Sequence, residues 1–511
     1  LVAGIVRKDG ISGNWVWWSF LLTGMLTVFF YAKLWRRTGI TTDLEFYELR
    51  YSGKSASFLR GFRALYLGIF FNIVIMATVC LAAIKIGHVL FGFSASTSLI
   101  IACSVTAFYS MLGGLKGVLI TDFIQFIIAM TGSIWASIYV VNRPEIGGID
   151  NLVKLIDDQS KFDLIPDFNQ PEVYIPLLVI PLAVQWWSVW YPGAEPGGGG
   201  YIVQRMLAAK NEKHATLATL FFNVMHYAIR PWPWIIMGLA SIVIYPNLVD
   251  LQEAFPDLDA SFIKNDLSYA AMLQLLPAGL IGVVVTSLIA AFMSTISTHL
   301  NWGSSYIVND FYLRFIKPEA SQKQQVLVGR FSILVMMLFS ALLAFVLEEA
   351  KDAFDLLLQI GAGTGLLFIV RWFWYRVNPY SEITAMLVSF VIALIFFINK
   401  KSEIQWFEIQ QYEELVIGVI ITTIAWVSVS FLTSPSKSET LKTFDALAFK
   451  NESKFKNFKY KIISFLSAVI GVYALLFGIG QMIFSQSTEA VVAMVIFLVC
   501  SVLVFKFWSK I

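Results

Sequence analysis

Cysteine, histidine and charge are all scarce in this chain. Its three cysteines, Cys80, Cys103 and Cys500, each lie in an apolar run and none stands at metal-ligand spacing. This excludes a disulfide framework and leaves them as small packing residues. Of the four histidines, His88, His214 and His299 have no companion at metal spacing and read as structural or interfacial, while His226 alone could titrate in the working range. Charged residues make up 14% of the chain and the net charge is only +3, with no basic run interleaved with aromatics to suggest a nucleic acid. No nucleophile–base pair, zinc motif or kinase signature occurs, and Gly113-Gly114 reads as a tight turn with no phosphate-loop Lys-Ser/Thr behind it. The inventory speaks against an enzyme.

What the chain does have is apolar length. Hydrophobic residues make up 58% of its 511 positions and the mean hydropathy is +0.71, outside the range of soluble globular proteins. Apolar runs long enough to cross a bilayer number about thirteen, near 14–35, 62–91, 96–113, 118–141, 174–191, 215–245, 270–299, 325–347, 353–375, 380–398, 412–432, 461–483 and 488–508. An all-α polytopic membrane protein follows. Lys and Arg gather in alternate connections, including Arg36, Arg37, Arg50, Arg60, Lys116, Arg205, Lys210, Arg314, Lys317, Arg371 and Arg376. The opposite loops carry Asp250, Glu253, Asp257, Asp259, Glu348 and Glu349. By the positive-inside rule the basic side is cytoplasmic, so Leu1 lies outside and Ile511 inside.

The most informative stretch is Ala290 to Asn301, where an apolar run is followed by Ser294, Thr295, Ser297 and Thr298. At about 100° per residue, these hydroxyls and the backbone of Ala291 fall within an arc of roughly 160°. An oxygen-lined face inside a membrane suits a small hard cation, with sodium the natural candidate. The same hydroxyls could instead bond back to their own helix or join two helices, and spacing alone leaves both readings open.

A second informative stretch runs from Gln185 to Gly200. Two prolines and five glycines close an apolar segment here, and they cannot continue a regular helix. Interrupted helices of this kind point to a transporter's binding site, because irregular backbone survives in lipid only around protein or a water-filled cavity. An ordinary loop leaving the membrane is the competing reading, since Tyr201 to Lys210 leads to a basic turn.

Small-Ala-x-x-Ser-Ser/Thr, followed by Leu300-Asn301 and Asn309-Asp310-Phe311-Tyr312, resembles the sodium-binding helix of the sodium:solute symporter family. Tyr109-x-x-x-Gly113-Gly114-Leu115 with Thr121-Asp122-x-x-Gln125, and Gln204-Arg205-x-Leu207-Ala208-Ala209-Lys210, resemble further signatures of that family. The resemblance implies a LeuT-type core of two inverted five-helix repeats plus extra C-terminal helices. It divides the chain into a transporter core at 1–378, additional transmembrane helices at 379–433, a cytoplasmic linker at 434–460 and a C-terminal hairpin at 461–511. It also registers the run from Gly10 to Arg37 as the second core helix, so that the first core helix, with part of the sodium site, lies upstream of Leu1.

The same resemblance implies the site residues. The common sodium site takes the carbonyl of Ala291 and the hydroxyls of Ser294 and Thr295. A possible second sodium site takes Asp122 with Ser294, Ser297 and Thr298; capping of its own helix is the other reading of Asp122. Substrate candidates are Gln185, Trp186, Trp190, Tyr191 and Glu195 along the broken helix, Gln359 in the tenth core helix, and Arg230. Asn223, His226 and Arg230 share one helical face, and Arg230, near mid-span, needs a partner such as Glu195, a carbonyl or a carboxylate on the solute. Sugar-transporting relatives tend to carry Asn-Gln where this chain has Gly199-Gly200, so the motif does not name a sugar. The expected activity is sodium-coupled import of a small polar organic solute, a sugar or similar, across the inner membrane by alternating access. A non-transporting solute sensor of the same fold and a proton-coupled symporter using Asp122 or His226 are the alternatives.

Overall fold

The computed structural model describes residues 1–510 apart from 403–405, with the side chains of 112–116 and 401 outside that description. Among the described residues it is helical, with one isolated β-bridge. The chain begins with a short helix that the apolar pattern had not marked, α1 (Val2–Asp9). Arg7 fixes it by donating to the carbonyl of Ser241 at 2.8 Å and to Asn265 at 3.2 Å. Then come α2 (Ile11–Thr38), the short α3 (Phe46–Arg50), α4 (Lys54–Phe91), α5 (Ala95–Met111) and α6 (Gly117–Val141). A broken element follows as α7 (171–188) and α8 (Gly200–Ala208). The core continues with α9 (Glu212–Ile244), α10 (Ala278–Ile316), α11 (Gln322–Ala344) and a second broken pair, α12 (Ala350–Gly361) and α13 (Gly365–Val370). The last elements are α14 (Pro379–Lys400), α15 (Gln411–Leu432), α16 (Ser438–Phe449), α17 (Phe458–Ile483) and α18 (Ser487–Lys510).

Ten of these helices are long and apolar enough to cross a membrane, and α5 is a shorter apolar helix. The remaining two expected spans, at 174–191 and 353–375, are the two broken elements. The seventh span starts later than its apolar run suggested, because Leu267–Leu273 forms a separate helix ahead of Pro277. The tight turn expected at Gly113-Gly114 is not seen: the backbone runs as one α-helix over Ala95–Val141, of which α5 and α6 are the two apolar parts. On either side of Gly113-Gly114, Tyr109 Oη donates to Thr121 Oγ1 at 2.6 Å.

Local chemistry explains where several helices begin. Ser321 with Gln324, Asn378 with Ser381 and Gln410 with Glu413 form reciprocal caps at the starts of α11, α14 and α15, and Pro379 occupies the first turn of α14, where its missing N–H costs nothing. Outward-facing Val491, Val495, Leu498, Val502 and Phe505 on α18 remain exposed, as a lipid-facing surface requires. The three cysteines are buried and unpaired. The stretch read as a linker, 434–460, contains α16, which docks through the fully buried Phe444 against Phe46 at 5.5 Å and Trp372 at 5.5 Å.

The basic end is tied together by ions. Arg60 Nε meets the buried Asp310 at 2.7 Å, where Thr42 also donates at 2.8 Å. Glu48 on α3 accepts from Arg60 at 2.8 Å and from Arg314 at 2.8 and 3.1 Å, joining α4 to α10. Burial pushes the Glu48 carboxyl up, but hydrogen bonds from Arg314, Ser57 and Arg60 outweigh it and hold it at about 2. A depressed folded-state value means that the stabilisation is complete above the ordinary carboxylate range and is lost only as pH falls towards 2. Thermal unfolding in detergent should therefore show this network contributing equally from about pH 5 to 8. Glu48→Gln should lower Tm by roughly 1–3 °C across that window, with the difference shrinking at high salt.

Candidate ion and solute sites

The oxygen face of α10 is divided between two directions. Ser294 Oγ donates to Asp122 Oδ1 at 2.6 Å, and Thr298 Oγ1 donates to Oδ2 at 3.3 Å. Asp122 is thus turned across to α10 rather than capping α6. Ser297 is fully buried and bonds back to the carbonyl of Ser294 at 3.2 Å, the alternative use of such a hydroxyl. Thr295 is exposed, beside half-buried Ala291 and Ser294. Of the four oxygens expected at the second site, three are assembled and the Ser297 hydroxyl is engaged with its own helix.

A fifth member was missed from sequence. Arg205 Nη2 donates to Asp122 Oδ2 at 2.9 Å and to Thr298 Oγ1 at 3.0 Å. Nη1 holds the carbonyl of Tyr201 at 3.1 Å, and the guanidinium lies over the Tyr201 ring at 5.7 Å. The arginine was visible in the Gln204-Arg205 motif, and an intramembrane aspartate calls for a counter-charge. What the sequence could not supply was that α8 faces α6.

The break between α7 and α8 is accounted for group by group, as backbone at membrane depth demands. Trp190 N–H donates to the carbonyl of Gly361 at 3.1 Å, and Val189 pairs with Ala362 in an antiparallel bridge, so the two broken elements are joined at their interruptions. The carbonyl of Gly197 accepts from Trp35 Nε1 at 2.7 Å. Gly200 N–H, at the start of α8, donates to Asp43 Oδ2 at 2.9 Å, and Tyr306 donates to the other oxygen of the same carboxylate. Burial raises Asp43, while the Tyr306 and Gly200 bonds favour its charged form. At Gly193, φ is +89° and an added Cβ would lie 2.0 Å from the Tyr201 hydroxyl, so only glycine fits.

The substrate candidates are dispersed. Gln185 is buried and donates to the carbonyl of Val16 at 2.6 Å. Trp186 donates to the carbonyl of Leu182 at 2.9 Å. Trp190 is buried edge-on against Phe71 at 5.0 Å, with Arg63 over its ring at 5.8 Å. Tyr191 lies between Phe20 at 5.9 Å and Phe354 at 4.9 Å. Gln359 does not face the break: its amide reaches the Gln411 carbonyl at 3.4 Å and Glu414 at 3.3 Å. Glu195 accepts from Gly193 N–H at 3.0 Å, and Arg230 forms no ion pair with it; among the described residues Arg230 has no hydrogen-bonding side-chain contact. His226 is packed among aromatic rings, with Trp17 at 5.7 Å, Phe222 at 5.2 Å and Tyr227 at 4.6 Å.

Comparison with known proteins places this geometry. The model of the sodium:solute symporter family matches residues 2–389, and the chain belongs to that family. A sodium/glucose cotransporter of Vibrio parahaemolyticus is 25% identical over 391 residues, covering 74% of this chain and 70% of its own length. Sodium/glucose cotransporter 4 of Danio rerio is 25% identical over 426 residues, covering 77% of this chain and 62% of the relative. Sodium/myo-inositol cotransporter 2 of Rattus norvegicus is 26% identical over 324 residues, covering 57% and 46%. The alignments thus leave a third or more of the two vertebrate relatives unmatched. A solved sodium-coupled sialic acid symporter, in a substrate-bound outward-open state, superposes with a TM-score of 0.58 at 22% identity, over 85% of this chain and 90% of that one. The fold is accordingly the all-helical LeuT type, in a multi-pass membrane protein of a transporter family rather than an enzyme family, and sodium is the coupling ion of that family.

Proposed function

We propose that this chain is a sodium-coupled symporter that imports a small polar organic solute across the inner membrane, with its basic end in the cytoplasm. The observation that carries the reading is Asp122, held by the hydroxyls of Ser294 and Thr298 and by the guanidinium of Arg205. A hard cation needs such oxygens, and Arg205 occupies the place of the positive charge. Sodium binding at Asp122 releases Arg205, while a second ion at Ala291, Ser294 and Thr295 uses the exposed side of the same helix. Ser294 belongs to both sets, so the two ions are linked through one hydroxyl. The solute sits by the joined breaks, near Tyr191 and Trp190. Its class is supported only as compact and polar, a sugar or similar, and Arg230, which has no ion-pair partner among the described residues, supports a solute that carries a carboxylate.

The test is transport in proteoliposomes under an inward sodium gradient, with electrogenic currents recorded for sugars, polyols, amino acids, nucleosides and carboxylates. Current with one class and only with sodium is expected. Ser294→Ala should weaken sodium and solute together, by roughly tenfold each, and Thr295→Ala should do the same with the Asp122 pairing left intact. Solute uptake or binding that proceeds equally without sodium would sink the proposal.

A further inference from the structure

A small cavity behind the break carries an inference beyond this reading. Its volume is about 20 Å³, enough for one water molecule or one bare small cation. Thr23 and Thr27 line it from α2, Gly193 and Glu195 from the break, and Thr219 and Asn223 from α9. None of these belongs to the Asp122 site.

The hydrogens of this lining are turned away from the cavity. Thr23 Oγ1 donates to the carbonyl of Trp186, Thr27 Oγ1 to that of Thr23 at 3.1 Å, and Thr219 Oγ1 to that of Ala215 at 2.8 Å. Asn223 Nδ2 donates to the carbonyl of Thr219 at 2.8 Å, and its Oδ1 accepts no bond among the described residues. The N–H groups of Gly193, Ala194 and Gly198 are also committed within the break, to Glu195 Oε2, the Tyr191 carbonyl and the Glu195 carbonyl. The donors of the lining are thus committed elsewhere, and oxygens are the polar groups left to meet a cation. Among the described residues Glu195, 3% exposed, makes no ion pair and its Oε1 has no hydrogen-bond partner; this oxygen lies on the Gly200 side, 2.7 Å from where a Cβ on that glycine would stand.

A carboxylate buried at membrane depth without a cation is costly, and it is relieved by a bound cation or by a proton. Hydroxyl and amide oxygens presented without donors, around a space of ionic size, match the first remedy: they are ligands for a small hard monovalent cation. We propose that Glu195, Thr23, Thr27, Thr219 and Asn223 form a further sodium site, which ties α2 and α9 to the interrupted helix. A cation there holds the break against both neighbours, so occupancy of this site sets whether the solute region is formed.

The experiment is binding of radioactive sodium at saturation, with sodium-induced thermal stabilisation alongside, on the full chain purified in detergent. Glu195→Gln should bind roughly one sodium ion fewer per chain than wild type. Thr27→Val should weaken one sodium step by roughly tenfold while Thr27→Ser keeps it, a contrast that a purely packing role would not produce. Asp122→Asn in the same assay reports only on the site of the proposed function, so either site can fail without the other. Unchanged sodium stoichiometry and affinity in both Glu195→Gln and Thr27→Val would overturn the proposal and leave Glu195 as a protonated acid or the cavity as a water site. Should Glu195→Gln not fold, the Thr27 pair decides by itself.

Discussion

Asp122→Asn is expected to lower sodium affinity by roughly a hundredfold, with transport falling in step at ordinary sodium concentrations. The change keeps the shape of the side chain and lets Ser294 and Thr298 go on bonding, so packing between α6 and α10 should survive. What it removes is the full negative charge. An ion pair at about 4 Å in a partly hydrated protein interior is worth gross attraction on the order of 4 kcal/mol, and loss of ion hydration offsets part of it, so a net change near 3 kcal/mol is the reasonable scale. Arg205 provides the internal comparison. It shares Oδ2 of Asp122 at 2.9 Å, with 27% and 20% of the two side chains exposed, so it competes with sodium for the same oxygen. Arg205→Gln should therefore raise sodium affinity several-fold while slowing turnover, because the released site loses its resident positive charge. Sodium titration of binding and of current measures both. Equal sodium affinity in wild type and Asp122→Asn would remove Asp122 from the ion site and leave it as a structural partner of Arg205.

The parts of this fold that were legible in the sequence are those written along one dimension. Apolar length marked the spans, and the hydroxyls after Ala291 marked the stretch of α10 that meets Asp122, though not how they divide between exposed Thr295 and buried Ser297. The crowding of proline and glycine between Pro192 and Gly200 marked the break, because no helix accommodates it. Pairing across the fold is a different kind of information. Gln185 could be seen on the broken helix, yet its amide belongs to the carbonyl of Val16. Gln359 stands two residues before Gly361, yet it turns towards α15. Arg205 carries no local sign that it will meet Asp122, eighty-three positions away. Short helices were also hidden: α1 is only eight residues long, and α16 is a lysine-flanked amphipathic segment whose buried side rests on Phe444. Length and mean hydropathy are blind to both.

Gly361→Ala tests the joint between the two interrupted helices, and its effect should be the most damaging of any single methyl group in the core. A Cβ there would lie 2.0 Å from the carbonyl oxygen of Trp190, 2.9 Å from its carbonyl carbon and 3.1 Å from its nitrogen. All three are backbone atoms, so no rotamer relieves the clash. The two segments must part, and parting them breaks the Trp190 N–H bond to Gly361 and the pairing of Val189 with Ala362. Those groups lie where little water can replace the lost partners, so the combined cost is on the order of 3–5 kcal/mol. Gly282→Ala on α10 adds the same methyl where nothing lies within 4 Å and should be neutral. Thermal unfolding, size-exclusion profile and solute current should be compared across both variants. If Gly361→Ala folds and still binds sodium but carries no solute, the joint acts in the step that moves the two broken helices together. If it aggregates while Gly282→Ala does not, the joint is part of the scaffold on which both ion sites depend. Wild-type transport by Gly361→Ala would mean that the two breaks work independently, and that the bridge between Val189 and Ala362 is dispensable.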